Sequence, residues 1–252
     1  ARTGPHARKR NPEPLVRKSL DTKALQPLLR ARALSAEQII RQRRSAVAMD
    51  GHTSLDRQVF YQMLARSLAP QFPFGVLPWQ AQVSLAVFVH RVDGLDPGLY
   101  LLVRDEAHEH SLRGSLAEDF DWDPPEGCPP NLAFYRLRKG DARDAARTIS
   151  CDQAIASDGA FALGMLAAFD TALESHGPKH YRRLFWECGL IGQVLYLEAE
   201  AAGVRATGIG CFFDDLIHEL LGLRGQAWQS LYHFTVGGPL EDGRLQTIAP
   251  YA

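Results

Sequence analysis

Apolar residues recur along the chain with two periods, one typical of helices and one typical of strands. Near the start, Ser35 and Gln38 have the spacing of a capping box, which predicts a helix start. The helix that follows is expected to carry an Ile-Ile pair and the basic run 41–45. A second helix is predicted from near Thr53, with four apolar residues on one stripe: Leu55, Val59, Met63 and Leu64.

The middle of the chain predicts a hairpin, a helix and two further strands. Alternating apolar residues mark a strand at 83–92 and a β-rich run marks another at 98–104, with a turn rich in Gly, Asp and Pro between them. A short strand is expected at 131–137, and a helix capped by Asp141 is expected to run to about residue 156. The apolar run 159–169 is predicted to be a buried strand.

The last third of the chain predicts the longest helix. Pro178 suits its first turn and Gly203 suits the position just after its end. A strand at 203–212, a short helix capped by Asp214 and a strand at 230–237 complete the pattern. Because helices and strands mix without regular β-α-β alternation, we expect an α+β fold with a mostly antiparallel sheet.

Composition and charge leave the broad class open but exclude some partners. Of 252 residues, 46% are hydrophobic and 23% are charged, as in ordinary globular proteins. The formal net charge of -1 points to neither nucleic acid nor an anionic membrane, and no apolar stretch is long enough to span a bilayer. Residues 1–34 are predicted to be a basic, Pro-rich tail or linker, with one folded domain at 35–252. A basic arm for an acidic partner is the alternative for that tail.

The cysteine pattern favours free thiols. Cys128, Cys151, Cys188 and Cys211 are widely spaced and include no CxxC pair. Structural zinc needs closely spaced ligand pairs, and a disulfide scaffold needs a small, cysteine-dense chain. We therefore expect reduced thiols and a cytoplasmic protein. The nine histidines include no tight pair at helical spacing, so no metal site is predicted.

The common catalytic motifs are missing: the chain has no GxxxxGK[ST] loop, no HExxH helix, no GxSxG elbow and no GxGxxG turn. What remains suits a planar cofactor that carries a phosphate. Arg43, Arg44 and Ser45 place two guanidinium groups and a hydroxyl together, and the planar fork of arginine matches phosphate or carbonyl oxygens. Arginines on an exposed helix that simply face water are the alternative.

Two further segments could contact such a cofactor. Gly208 and Gly210 close an apolar strand and let a ligand approach the backbone, where bare N–H groups can donate to a planar ring. A β-bulge or tight turn explains the same glycines equally well. Arg244 follows the last strand and could reach back to a phosphate, with a surface turn as the alternative.

Taken in order, these features resemble the nitroreductase superfamily and, within it, the SagB-type branch of FMN-dependent dehydrogenases associated with azoline oxidation in peptide natural products. The resemblance covers roughly residues 37–244. Its motifs are an R-R-S at 43–45, a V-x-G-L-x-P-G-L-Y at 92–100, a C-x-Q at 151–153, an E-x-G-x-x-x-Q from Glu187, the glycine-rich 203–210 and an L-Y-x-x-x-V-G-G-P at 231–239.

The resemblance implies a nitroreductase-like fold, a bound FMN and a homodimer whose long apolar helix lies at the interface. Arg43, Arg44 and Ser45 would contact the FMN phosphate, ribityl chain or ring edge. Backbone groups of Gly208, Gly210 and Cys211 would lie near the flavin ring, where a protein tunes flavin electronics. Arg244 would be the late phosphate ligand.

The resemblance also implies an oxidoreductase that transfers a hydride through the flavin between a donor, such as NAD(P)H, and a small organic or peptide-like substrate. Azoline oxidases use a Lys-Tyr pair near the start of the long helix, where this chain has His180 and Tyr181. The Tyr181 phenol is the candidate acid or base, and a packing role is its alternative. The alternative function is a degenerate, non-catalytic binding or scaffold domain, such as one half of a tandem protein.

Overall fold

A computed structural model describes residues 34–68, 72–246 and 248. Their main feature is a six-stranded antiparallel sheet with the order β5-β4-β2-β6-β8-β7, beside a two-stranded parallel pair formed by β1 and β3. The strands are β1 (Leu55–Asp56), β2 (Val83–Val89), β3 (Val92–Asp93), β4 (Gly98–Leu102), β5 (Phe134–Lys139), β6 (Phe161–Ala168), β7 (Arg205–Ile209) and β8 (Trp228–Gly237).

Helices cover both faces of this sheet. They are α1 (Ala36–Gln42), α2 (Arg57–Arg66), α3 (Glu109–Ser115), α4 (Arg143–Ile149), α5 (Ala154–Asp158), α6 (Phe169–His176), α7 (Tyr181–Ala201) and α8 (Asp214–Leu221). Short 3-10 turns lie at Phe74–Val76, Glu106–His108 and Pro178–His180. Among the described residues, no helix is long and apolar enough to cross a membrane.

The sheet forms because its central strands are apolar on both faces. Every residue of β2 and β6 is buried, and the two strands pair with Val87 opposite Leu163. Since side chains of a strand alternate between faces, two separate cores result. One core packs α2 and α7 on the sheet and contains Phe60 and Phe161, whereas the other packs α3, α4, α5 and α8 and contains Trp228.

The α+β prediction is confirmed, and the capping box at the start of α1 is confirmed in detail. Ser35 Oγ accepts from the Gln38 N–H and Gln38 Oε1 accepts from the Ser35 N–H. The predicted length of α1 is wrong, because the helix ends at Gln42 and residues 43–45 are not helical. The start of α2 is also wrong: Leu55 belongs to β1, and Asp56 caps a helix that begins at Arg57.

The single helix predicted over 141–156 is wrong. The chain forms α4 and α5 there, separated by a turn in which Cys151 and Asp152 each have φ 55. That left-handed conformation ends a helix. The sequence has no glycine or proline at this point that would have predicted the break. The buried strand at 159–169 is confirmed as β6, although its last predicted residue begins helix α6, which the pattern did not predict.

The long helix is confirmed as α7, and Gly203 follows its end with φ +77. Its environment is less enclosed than its sequence implies, since Tyr181, Phe185 and Trp186 are exposed in the single chain. Asp214 is the first residue of α8 rather than its cap, which is Phe213. The tail predicted at 1–34 lies outside the described residues except for its last position.

Candidate functional site

The Arg43–Ser45 segment lies along the free edge of β7. Ser45 forms an isolated parallel bridge with Ala206, and the Ala46 N–H donates to the Ala206 carbonyl at 3.1 Å. The Thr207 hydroxyl donates back to the Ala46 carbonyl at 2.6 Å. These bonds explain why the chain leaves the helical conformation after Gln42, because the edge strand β7 offers the segment backbone partners that water would otherwise supply.

Tyr196 of α7 is the centre on which the segment and the glycines converge. Its hydroxyl accepts from Ser45 Oγ at 3.1 Å and from the Gly208 N–H at 2.9 Å. The Arg43 guanidinium lies over the Tyr196 ring, with Cζ 4.6 Å from the centroid. We call Arg43, Ser45, Tyr196 and Gly208 the Tyr196 cluster. The fold holds these four residues in one place although up to 165 positions separate them in the sequence.

A cavity of about 200 Å³ adjoins this cluster. One stripe of α7 forms its floor, since residues spaced three and four apart share a helix face. Its lining residues are Phe185, Cys188, Gly189, Gly192, Gln193, Tyr196, Tyr232 and Phe234. The helical glycines leave space at this face of the helix. A Cβ on Gly189 would meet nothing within 4 Å, so the cavity is open at that position.

Several features of this site fit a bound planar phosphate-bearing group. Arg43 Nη1 is buried and has no hydrogen-bond partner among the described residues, so it can donate a hydrogen bond to a ligand. Gly208 lacks a side chain for a reason internal to the protein, because a Cβ there would overlap the Tyr232 hydroxyl. No described residue accepts a hydrogen bond from the N–H groups of Gly210 and Cys211, which are exposed at the end of β7.

Two titratable side chains that line the cavity, Tyr232 and Cys188, are shielded from water. Burial raises the pKa of the Tyr232 phenol, with smaller contributions from Tyr196 and Cys188. Burial also raises the pKa of the Cys188 thiol, which therefore stays protonated at neutral pH. Neither group is prepared as a nucleophile, so the chain itself offers binding and orientation in this cavity rather than covalent chemistry.

Not every predicted residue reaches the Tyr196 cluster. Arg44 Nη1 donates to the carbonyls of Arg41 and Arg43, and its Nη2 donates to Ile248. The Arg244 side chain is 90% exposed and is paired with Asp242, whose pKa it lowers. The structure therefore brings Arg43, Ser45 and Gly208 together but leaves Arg244 on the surface, as its alternative interpretation expects.

The expectation of four reduced thiols is wrong. Cys151 and Cys211 form a disulfide across 60 positions, whereas Cys128 and Cys188 are free. The pairing arises because Cys151 lies in the turn after α4 and Cys211 follows β7, and Gln153 Nε2 donates to the Cys211 carbonyl at 3.1 Å. Spacing in sequence could not show this contact. The sulfur of Cys211 is thus engaged, and only its backbone remains available to a ligand.

Tyr181 lies at the start of the same helix face. Its ring is 48% exposed and packs edge-on against Phe169 and Phe185, and Phe185 lines the cavity. No hydrogen bond joins its phenol to a described residue. Its position at the rim of the cavity suits either packing or contact with a ligand, and the predicted catalytic role stays a prediction.

Two tyrosines that organise the site were not among the residues predicted from the sequence. Tyr196 comes from α7 and belongs to no quoted motif, whereas Tyr232 comes from β8 and is the tyrosine of the L-Y-x-x-x-V-G-G-P motif, to which no role at the site was assigned. Helical spacing offered a signal, because Gly189, Gly192 or Gln193, and Tyr196 follow one another at three- and four-residue intervals. Among the described residues, no group of three or more His, Cys, Asp or Glu side chains is placed to hold a metal ion.

Comparison with solved structures shows the same fold. A protein described as a nitroreductase from Anabaena variabilis aligns with a TM-score of 0.60 and 22% identity over 79% of this chain. The chain spans only 37% of that protein's length. A Ralstonia eutropha protein described in the same way aligns with a TM-score of 0.58 and 16% identity, over 84% of this chain and 87% of its own.

A third similar structure is the E. coli microcin synthetase McbBCD complex with truncated pro-MccB17 bound. It aligns with a TM-score of 0.58 and 16% identity, over 84% of this chain and 75% of that one. No curated protein sequence matches this chain. The sequence model of the nitroreductase family matches residues 104–238, which is more than half of the 252 residues. On this match, the chain belongs to the nitroreductase family.

Proposed function

We propose that the chain binds FMN beside the Tyr196 cluster and is a flavin-dependent oxidoreductase. The single observation that carries the proposal is the convergence on Tyr196, where distant Arg43, Ser45 and Gly208 meet next to a cavity. Family membership supports flavin chemistry in general terms. When bound, FMN supplies the capacity to accept and return a hydride, which no side chain of this site can do.

The roles of the residues follow from their free hydrogen-bonding capacity. Arg43 Nη1 is available to an anionic or carbonyl oxygen, and the stacking of its guanidinium on Tyr196 fixes its plane. The N–H groups of Gly210 and Cys211 are available to ring acceptors. The Gly208 N–H is already donated to Tyr196, so Gly208 acts by accommodating the Tyr232 hydroxyl and by holding Tyr196.

Arg44 and Arg244 would act differently from Arg43. Both lie near the ends of the described chain and contact other groups, Arg44 through carbonyls and Arg244 through Asp242. A phosphate would compete for either guanidinium, because charge-assisted bonds to phosphate exceed bonds to neutral carbonyls in strength. We therefore propose Arg44 and Arg244 as phosphate ligands too, with weaker contacts than those of Arg43.

We further propose that two chains complete the site. A cavity of about 200 Å³ is smaller than the ~300–1,000 Å³ of typical cofactor pockets, so one chain supplies only part of the enclosure. The exposed aromatic residues Tyr181, Phe185 and Trp186 lie on the same helix and form an apolar surface that a second chain could cover. A homodimer through α7 satisfies both observations.

We extend the proposal to the class of substrate and to the branch within the family. The motif order resembles SagB-type dehydrogenases, and one structure of the same fold is a microcin synthetase complex with truncated pro-MccB17 bound. We therefore propose a small organic or peptide-like substrate, with NAD(P)H as the electron donor to test first. Tyr181, at the rim, is the proposed acid or base. The cytoplasmic location was inferred from reduced thiols, and the Cys151–Cys211 disulfide removes that argument, so we keep the location as a proposal only.

The test is the absorbance spectrum of the purified protein and its titration with FMN. We expect flavin bands whose intensity falls when Arg43→Ala and Arg44→Ala are combined. Arg41→Ala is the matched control, since Arg41 lies one turn away and forms an exposed pair with Glu37. A colourless protein that FMN leaves unchanged would support the non-catalytic scaffold instead. Binding without reduction by NADH or NADPH would indicate a flavin carrier.

A further inference from the structure

We propose that a second cavity, lined by His90, Arg91, Lys139 and Arg143, binds an oxyanion that has a hydrogen-bond donor beside it. The cavity has a volume of about 420 Å³ and shares no lining residue with the cavity beside Tyr196. It lies where β2 ends and where β5 passes into α4. The inference does not depend on flavin binding.

Arg91 has a hydrogen-bond donor that the described residues leave unused in this cavity, although the carboxylates of Asp158, Asp50 and Asp141 act on its charge through space. Its Nη2 donates to the carbonyls of Ser157 and Gly159, at 3.0 and 2.7 Å, and no described carboxylate forms an ion pair with it. Its Nε is buried and has no hydrogen-bond partner among the described residues. A half-buried guanidinium with an unused donor is costly unless an acceptor reaches it, and an anion would satisfy both its charge and its Nε–H.

His90 supplies the complementary group, an acceptor. The side chain is 94% buried, and its Nε2 donates to the Ala156 carbonyl at 3.0 Å, which leaves Nδ1 as the lone-pair nitrogen. That Nδ1 has no partner among the described residues. Burial lowers the pKa of His90 to about 4, so the ring is neutral at pH 7 and Nδ1 accepts a hydrogen bond rather than donating one.

Lys139 and Arg143 add positive charge at the mouth of the cavity. Each has one carboxylate partner: Lys139 Nζ lies 3.0 Å from Asp96, and Arg143 is bound by Asp141. The lining carries three cations and the carboxylate of Asp141, and Asp96, Asp50 and Asp158 lie close enough to act on these cations. The charges around the cavity are therefore close to balanced, and the unused donor of Arg91 and acceptor of His90 are what select a ligand.

The donors and the acceptor together define the ligand. A bare carboxylate would satisfy Arg91 but leave His90 Nδ1 unpaired, whereas a group with both an anionic oxygen and an adjacent N–H or O–H would satisfy both. A phosphate that keeps one proton meets this description, and so does a peptide carboxylate with its own amide N–H. The volume exceeds that of a single small ion and falls within the ~300–1,000 Å³ typical of small-molecule sites.

Titration calorimetry at low ionic strength tests the proposal with three probes: inorganic phosphate, N-acetylglycine and acetate. We expect saturable binding of phosphate or N-acetylglycine, and weaker binding of acetate, which lacks the donor. The tighter probe identifies the source of the oxyanion. The double variant Lys139→Gln/Arg143→Gln should weaken binding by about tenfold or more, the effect of losing charge-assisted contacts.

Arg138→Gln is the matched control. Arg138 neighbours Lys139 on β5, is equally exposed as Arg143, and pairs with Asp119 outside the cavity. It should leave the affinity unchanged, and because all three side chains are exposed, the variants should fold like the parent protein. The proposal is overturned if neither phosphate nor N-acetylglycine binds into the millimolar range, or if Arg138→Gln weakens binding as much as the double variant.

Discussion

Arg104 and Glu187 form an ion pair, with Nη1 and Oε1 2.5 Å apart and both side chains fully buried. The Glu187 carboxylate also accepts from the backbone N–H groups of Gln82 and Val83, and Arg104 donates to the carbonyls of Ser67 and Val83. The pair therefore fixes α7 to the start of β2. It explains structurally why a glutamate lies in an otherwise apolar stretch of the long helix.

Replacing Glu187 with Gln should destabilise the protein strongly. The variant keeps the shape of the side chain but leaves the Arg104 charge buried without a counter-ion, which costs about 3–5 kcal/mol. Urea unfolding monitored by circular dichroism measures the loss. The double variant Glu187→Leu/Arg104→Met removes both charges and should recover part of the stability, since the backbone groups that the pair satisfied still lose their partners. An equal loss in the single and double variants would contradict this account.

Gly208 should tolerate no side chain, because a Cβ there would overlap the Tyr232 hydroxyl and its ring edge. We expect Gly208→Ala to lower the free energy of unfolding by about 1–3 kcal/mol, as overpacking does. It should also weaken FMN binding, since Tyr196 would lose the position that the Gly208 N–H gives it. Fluorescence titration with FMN and urea unfolding measure the two effects.

The matched control for that substitution is Gly210→Ala, where a Cβ would meet nothing within 4 Å. Its stability should equal that of the parent protein within error. A second variant, Gly208→Ala/Tyr232→Leu, removes the obstructing hydroxyl and should recover part of the stability. If Gly208→Ala were as stable as Gly210→Ala, the close approach of Tyr232 to β7 would be wrong.

The Cys151–Cys211 disulfide should stabilise the fold, because it closes a loop of 60 positions in the unfolded chain. Chain-entropy arguments and typical measurements give about 2–4 kcal/mol for such a bond. Unfolding with and without dithiothreitol should show this difference in the parent protein. The double variant Cys151→Ser/Cys211→Ser should be insensitive to the reductant, whereas Cys128→Ser should keep the full sensitivity, since Cys128 is a free thiol.

The sequence predicted those features that rest on local rules. The capping box at Ser35, the apolar strands β2 and β6 and the stop at Gly203 all follow from neighbouring residues. Features that depend on distant contacts were not predictable in this way. Residues 43–45 pair with β7 instead of continuing the helix, and the break near Cys151 lies where that cysteine contacts Cys211, far away in the sequence.

The residues of the candidate site also divide into those that the sequence could indicate and those that depend on distant contacts. Arg43, Ser45 and Gly208 could be singled out because arginine, hydroxyl and glycine have distinctive chemistry. Tyr196 could not, because a tyrosine within an apolar helix is equally typical of a core position. Its role depends on bonds to two segments far away in the sequence, which only the fold brings within reach.

Buried histidines should make the protein less stable in mild acid. Burial lowers the pKa of three histidines to about 4, below the value near 6.5 of an exposed histidine: His90, His180 and His233. The unfolded chain therefore binds more protons than the folded protein between pH 4 and 6.5. Stability rises with pH in that window and is lost as the pH falls through it, by at most about 1.4 kcal/mol per pH unit for each histidine.

Urea unfolding at pH 7 and pH 5 measures this dependence. His233→Gln should reduce the difference between the two pH values by no more than about a third of the histidine contribution, because Gln carries no titrating group and can still contact the hydroxyls of Ser150 and Ser230. His110→Gln is the control, since His110 is exposed, and it should leave the difference unchanged. A pH dependence that His233→Gln does not alter would mean that His233 is protonated in the folded protein at pH 5, contrary to the effect of its burial.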